Sequence, residues 1–109
     1  MDLFRVNYSP SAVEDLRSIY NYIAFELQVP ETAEKHINQI RNKAKSLSSF
    51  PKKHPIVDWE PWCSMGMRKL PINNYVIYYM EDKNNNEVII VRILYSGRDV
   101  QSLISSSEL

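Results

Sequence analysis

Residues 67–95 read MRKLPINNYVIYYMEDKNNNEVIIVRILY, and this stretch decides the fold class. Its last part, VIIVRILY from Val88 to Tyr95, is apolar on both faces, as a strand with neighbours on either side must be. Two further strand patterns precede it, Met67 to Ile72 and Tyr75 to Glu81. The two residues between them, Asn73 and Asn74, are turn formers, so the pair reads as a hairpin. Asp82 to Asn86 supplies a second polar turn. Strict alternation puts Val88, Ile90, Arg92 and Leu94 on one face of the last strand and Ile89, Val91, Ile93 and Tyr95 on the other. An Arg centred in so apolar a strand either pairs with a buried carboxylate or lines a concave functional surface.

Upstream the period changes. Leu3 to Tyr8 alternates like a half-buried strand. Ser9-Pro10 then opens a helix, with Ser9 as N-cap and Pro10 at the first helical position, where a missing N–H costs nothing. Val13, Leu16, Tyr20, Ile23 and Leu27 form its apolar stripe, and the helix is expected to end near Gln28. Pro30 starts a second helix, whose stripe is Ala33, Ile37, Ile40, Ala44 and Leu47. So short a link folds the two helices back antiparallel. Residues 51–66, with Pro51, Pro55 and Pro61, read as a loop, in which Trp59 and Trp62 cap the core from outside or stack on a ligand. Asp99 can cap a last short helix through Ile104, with 105–109 fraying. The chain is thus a single domain, 1–109, of the α+β class. The order is β-αα-βββ-α, an antiparallel helical hairpin packed on one face of a mostly antiparallel four-stranded sheet.

At 109 residues and 44% apolar content the chain can bury a core without a metal or a disulfide, and Cys63 is its only cysteine. No apolar run approaches a membrane span and Met1 to Val6 does not resemble a signal peptide, so a cytoplasmic location with no membrane partner is expected. The net charge is zero, but it is unevenly spread. Lys35, Arg41, Lys43, Lys45, Lys52 and Lys53 lie between residues 35 and 55 with no Asp or Glu among them. That stretch is either a solvated helix face or a surface for a polyanion or an acidic partner. Lys43, Lys45, Lys52, Lys53, His54 and Arg92 are the candidates for RNA contact. Arg68, Lys69 and Arg98 could converge at one end of the sheet, where they would suit phosphate oxygens. Each could equally be paired locally. Of the histidines, His36 falls on the polar side of its helix, and His54 reads as a solvated loop residue. With Gly66 and Gly97 as the only glycines there is no Walker loop, and HExxH and GxSxG are absent, so neither a small-molecule cofactor nor a metal is expected.

Two segments carry a family resemblance. VNYSPSAVEDLRSIYNYIA near the start and GMRKLPINNYVIYYMEDKNNNEVIIVRILYSGRD near the end resemble the RelE/ParE superfamily, the toxins of bacterial type II toxin–antitoxin modules. The family runs strand, Ser/Thr-Pro, Asp-Leu on a first helix, then a second helix. It closes with G-x-R-x-L/F-P-V-x-x-Y-x-I-x-Y and I-x-R-V/I-L-H-x-x-R-D.

The resemblance implies a toxin that arrests growth and is silenced by a cognate antitoxin, whose disordered segment folds as it covers the toxin. ParE-like members inhibit DNA gyrase without an established hydrolytic site, and RelE-like members cut mRNA in the ribosome. A non-toxic module that only binds an antitoxin is the third alternative. Carried onto this chain, the RelE-type site would use Arg68, Lys69 and Arg98, with Tyr75 and Tyr95 as further catalytic candidates. The family Arg after Tyr75 is Val76 here, the C-terminal Tyr is absent with Ile104 near its place, and the family His is Tyr95. Cleavage by 2′-OH attack needs a proton acceptor and a donor, and only Tyr95, Tyr75 or His54 could supply them. These losses tilt the reading toward gyrase inhibition.

Overall fold

The computed structural model describes residues 3–97 and Ile104. The expected last helix and Arg98 therefore lie outside the described residues, apart from Ile104, which is buried. The elements are β1 (Arg5–Tyr8), α1 (Pro10–Asn21), α2 (Pro30–Lys45), α3 (Trp62–Met65), β2 (Arg68–Ile72), β3 (Tyr75–Asp82) and β4 (Glu87–Tyr95). The strands form one sheet in the order β1-β4-β3-β2, with β1 parallel to β4 and the other pairs antiparallel. VIIVRILY is thus an inner strand, as its composition demands. Among the described residues no helix is long and apolar enough to cross a membrane.

α1 and α2 cover one sheet face. Ala12, Leu16, Ile40, Ala44 and Leu47 pack there on Leu70, Ile77, Tyr79, Val88, Ile90 and Ile93. The first helix is rotated from the expected stripe: Ala12 is fully buried while Val13 is 43% exposed. Its start is tied directly to the sheet. Ser9 N–H donates to the Ile90 carbonyl, and Ser9 Oγ accepts from Ala12 N–H and donates to the Val91 carbonyl. Past Asn21 the helix widens into a π turn, Tyr22–Glu26. The extra residue in that turn moves Leu27 off the stripe and out to solvent.

Strand alternation also breaks once. Tyr78 faces Arg92 but Tyr79 faces Ile90, so Val91 is an extra residue in β4. Beyond this bulge the faces exchange. Val88, Ile90 and Ile93 face the helices, while Val91 and Leu94 face the other way. That second face is covered too. Val57, Trp62, Met67 and Ile104 pack on Tyr78, Val91 and Leu94, with Trp59 set edge-on to Tyr78. Residues 51–66 are therefore more than a loop. Val57 N–H donates to the Met67 carbonyl and Lys69 N–H to the Pro55 carbonyl, which extends the sheet edge, and α3 ends at Gly66 in the left-handed conformation.

Candidate functional site

The sequence candidates fall at two separate ends of the sheet. At one end β2 begins with Arg68, which lies opposite Tyr79 on β3. Arg68 Nη1 donates to the carbonyls of Lys52 (3.1 Å) and His54 (2.7 Å), and its Nε stands 3.4 Å from Glu81 Oε1. Of the two readings of Arg68, local pairing holds: it is an internal tie, with its side chain only 17% exposed. Tyr79 closes the same corner by donating its hydroxyl to the Pro51 carbonyl, and burial pushes its phenol above the ordinary range. His54 packs edge-on against Tyr79, with ring centroids 6.2 Å apart, rather than standing free in solvent. Burial first, then the charges of Lys53, Lys43 and Arg68, lower its pKa. Lys83 nearby lowers the pKa of Lys52 as well. The chain therefore gathers Lys43, Lys52, Lys53, His54, Arg68 and Lys83 around one corner. Lys45, in the same last turn of α2 as Lys43, is exposed.

Tyr75 and Tyr95 stand at the opposite end, by the Asn73-Asn74 turn, where they face each other across β3 and β4 with ring centroids 5.1 Å apart. Four residues of β2 separate this level from Arg68, roughly 13 Å along the strand. Burial, with Tyr95 and Tyr22 nearby, raises the pKa of Tyr75, whereas Tyr95 is 48% exposed. The residue that sequence reasoning missed here is His36. Its ring lies edge-on to Tyr75 and its Nδ1 is buried without a partner. Its spacing held the signal, since Ala33, His36 and Ile40 step by three and four, as a buried stripe does.

Lys69 points to the face opposite Arg68, beside Tyr78. Val76, where the resembled family has an Arg, pairs with Pro71 and Leu94. The described surroundings of these two are Tyr78, Met80, Leu94, Trp59 and Trp62, an apolar cover. Arg92 is committed elsewhere. Its Nε and Nη2 form a fork on Asp15 of α1, and this hydrogen bonding raises its pKa further.

The fold, a mixed four-stranded sheet with a helical hairpin on one face, is shared by solved structures. The chain aligns with a chromosomal ParDE toxin–antitoxin system from P. aeruginosa at TM-score 0.70 and 23% identity, covering 85% of this chain and 96% of that one. It also aligns with the RelBE2 toxin–antitoxin complex of Mycobacterium tuberculosis (0.65, 18%, covering 87% and 93%). The archaeal RelE–RelB complex of Pyrococcus horikoshii OT3 is similar too (0.58, 16%, covering 88% and 98%). At these identities the likeness is one of fold. No curated protein matches the sequence. The profile of the family described as ParE toxin of type II toxin–antitoxin system, parDE, matches residues 6–100. The chain belongs to that family and is a type II toxin of the RelE/ParE superfamily.

Proposed function

We propose that this toxin arrests growth as a ParE-type inhibitor of DNA gyrase, without hydrolysing nucleic acid, and that a cognate antitoxin silences it. One observation carries the first half. The sheet face that holds Lys69 and Val76 is apolar among the described residues, and Arg68, with Tyr79 and His54 beside it, lies on the opposite face, so the two cations do not share an acid–base pair. Tyr79 is locked onto a carbonyl, and Tyr75 and Tyr95 are at the far end. Membership of the ParE family points the same way.

The antitoxin has a fitting surface. The tip of the helical hairpin exposes Tyr22, Phe25, Leu27 and Val29, and a depression of about 390 Å³ between α1 and α2 combines Val13, Tyr20 and Ile37 with Arg17 and Arg41. Apolar surface rimmed by Arg suits an acidic, amphipathic segment that folds on binding. Expression of the toxin alone should stop growth, and co-expression of its neighbouring antitoxin gene should restore it. Primer extension on mRNA from arrested cells should show no codon-phased cuts. Codon-phased cuts would assign the chain to the ribosome-dependent nucleases instead, and unaffected growth would make it a non-toxic antitoxin-binding module.

A further inference from the structure

The basic corner contains a depression of about 590 Å³ that the toxin reading does not use. Phe4 and Phe50 form apolar walls, Lys52 and Lys53 its rim, and Glu81 part of its lining. A space of that size holds a mononucleotide-sized ligand.

Three features distinguish it from ordinary surface. The Glu81 side chain is only 8% exposed, and its Oε2 is buried with no hydrogen-bond partner while Oε1 faces Arg68. A buried carboxylate oxygen without a donor is a place that a ligand N–H can complete. Phe50 holds a left-handed backbone, φ 51° and ψ 55°, with its side chain 69% exposed. A bulky residue rarely adopts that conformation, and strain of this kind concentrates at binding sites. Finally, Lys52 and Lys53 both line the depression, and the nearby charge of Lys83 lowers the pKa of Lys52, a grouping of like charges that an anion relieves.

One ligand chemistry answers all three. It must carry a negative group for the lysines, a planar face for the exposed phenylalanine and a donor edge for the carboxylate. A cationic side chain supplies the donor but is repelled by the lysines, and an acidic side chain supplies the charge but neither the planar face nor the donor. We propose that this depression binds a nucleotide with an amino-bearing base, its base against Phe50, its donor edge on Glu81 and its phosphate on Lys52 and Lys53. Guanine fits best, because its N1–H and exocyclic amine are adjacent donors. Uracil offers one N–H between two carbonyls that the carboxylate would repel. The rim side chains Phe50, Lys52 and Lys53 are all exposed, so they can move as the ligand reaches the carboxylate. The site goes beyond gyrase inhibition and does not depend on it.

Calorimetric titration of the full chain with guanosine, inosine and uridine 5′-monophosphates tests this. A tetranucleotide RNA with a single guanosine, in a parallel arm, separates a free nucleotide from one within a strand. Guanosine monophosphate or the guanosine RNA should bind, more weakly as salt rises, and at least about tenfold more tightly than the matching uridine ligand. Inosine monophosphate, lacking the amine, should fall between. Phe50→Gly and Lys53→Gln should each weaken binding about tenfold while the protein melts normally. Absence of binding by every ligand at millimolar concentration would overturn the proposal. So would equal binding of guanosine and uridine ligands, equal competition by polyglutamate, or affinity unchanged in both variants.

Discussion

Asp15 on α1 grips Arg92 on β4 through two parallel hydrogen bonds, Nε to Oδ2 at 2.7 Å and Nη2 to Oδ1 at 2.9 Å, and its Oδ2 also accepts from Ile93 N–H at 3.0 Å. Pairing of β1 with β4 ends at Tyr8 and Ile90. Beyond that point the edge of β4 would be bare, and α1 covers it with side chains: Ser9 takes the bulge carbonyl of Val91 and Asp15 the amide of Ile93. The Asp-Leu pair of the first helix is therefore a fastening between helix and sheet. It resolves the two readings of Arg92 in favour of a carboxylate partner.

Removing one partner strands the other in a site where both side chains are under 15% exposed. Asp15→Ala should cost about 3 kcal/mol in denaturant unfolding, and Arg92→Leu, which leaves the carboxylate with Ile93 N–H, somewhat less. An unfolding midpoint unchanged in both would show that the fork contributes nothing.

Arg68 and Lys69 should behave oppositely. Arg68 holds two carbonyls of the 52–54 segment and the Glu81 carboxylate, so Arg68→Ala should lower stability by about 2 kcal/mol. Lys69→Ala, at an exposed position, should change it by less than about 0.5 kcal/mol. Loss of toxicity in Arg68→Ala is then informative only beside a melting curve. Equal stability of the two variants would contradict the assignment of Arg68 as an internal tie.

His54 should make stability depend on pH. Its folded pKa lies below the ordinary 6.5. The unfolded chain therefore binds the proton more readily, and the stability that His54 contributes is complete above about pH 6.5. It is lost as pH falls below that value through the folded pKa. Melting curves between pH 7.5 and 5 should decline in the wild type and decline less in His54→Gln. Identical slopes would show that the imidazole is not held away from its proton.

Much of the fold is written in the sequence because it rests on local rules. Ser9-Pro10, the three- and four-residue stripes and the Asn73-Asn74 turn each fix one element, and each element forms, although the first helix is rotated from its stripe and gives way to a π turn after Asn21. What escapes is set by contacts between distant residues. The bulge at Val91 exchanges the sheet faces without any Gly or Pro to announce it, so alternation assigns Ile93 and Leu94 to the wrong sides. The apolar cover from Trp59 and Trp62 depends on where 51–66 lands against β2. The Arg68–Glu81 pair is an intermediate case. Counting back from the hairpin turn sets Arg68 opposite Tyr79 and leaves Glu81 on the diagonal, within reach of a long side chain.

The most direct measurement is a supercoiling assay with purified gyrase and purified toxin, scored for cleaved DNA, run beside translation extracts probed for mRNA cuts. The expected result is loss of supercoiling with accumulation of cleaved DNA and intact mRNA. Unimpaired gyrase together with codon-phased mRNA cleavage would contradict the central claim.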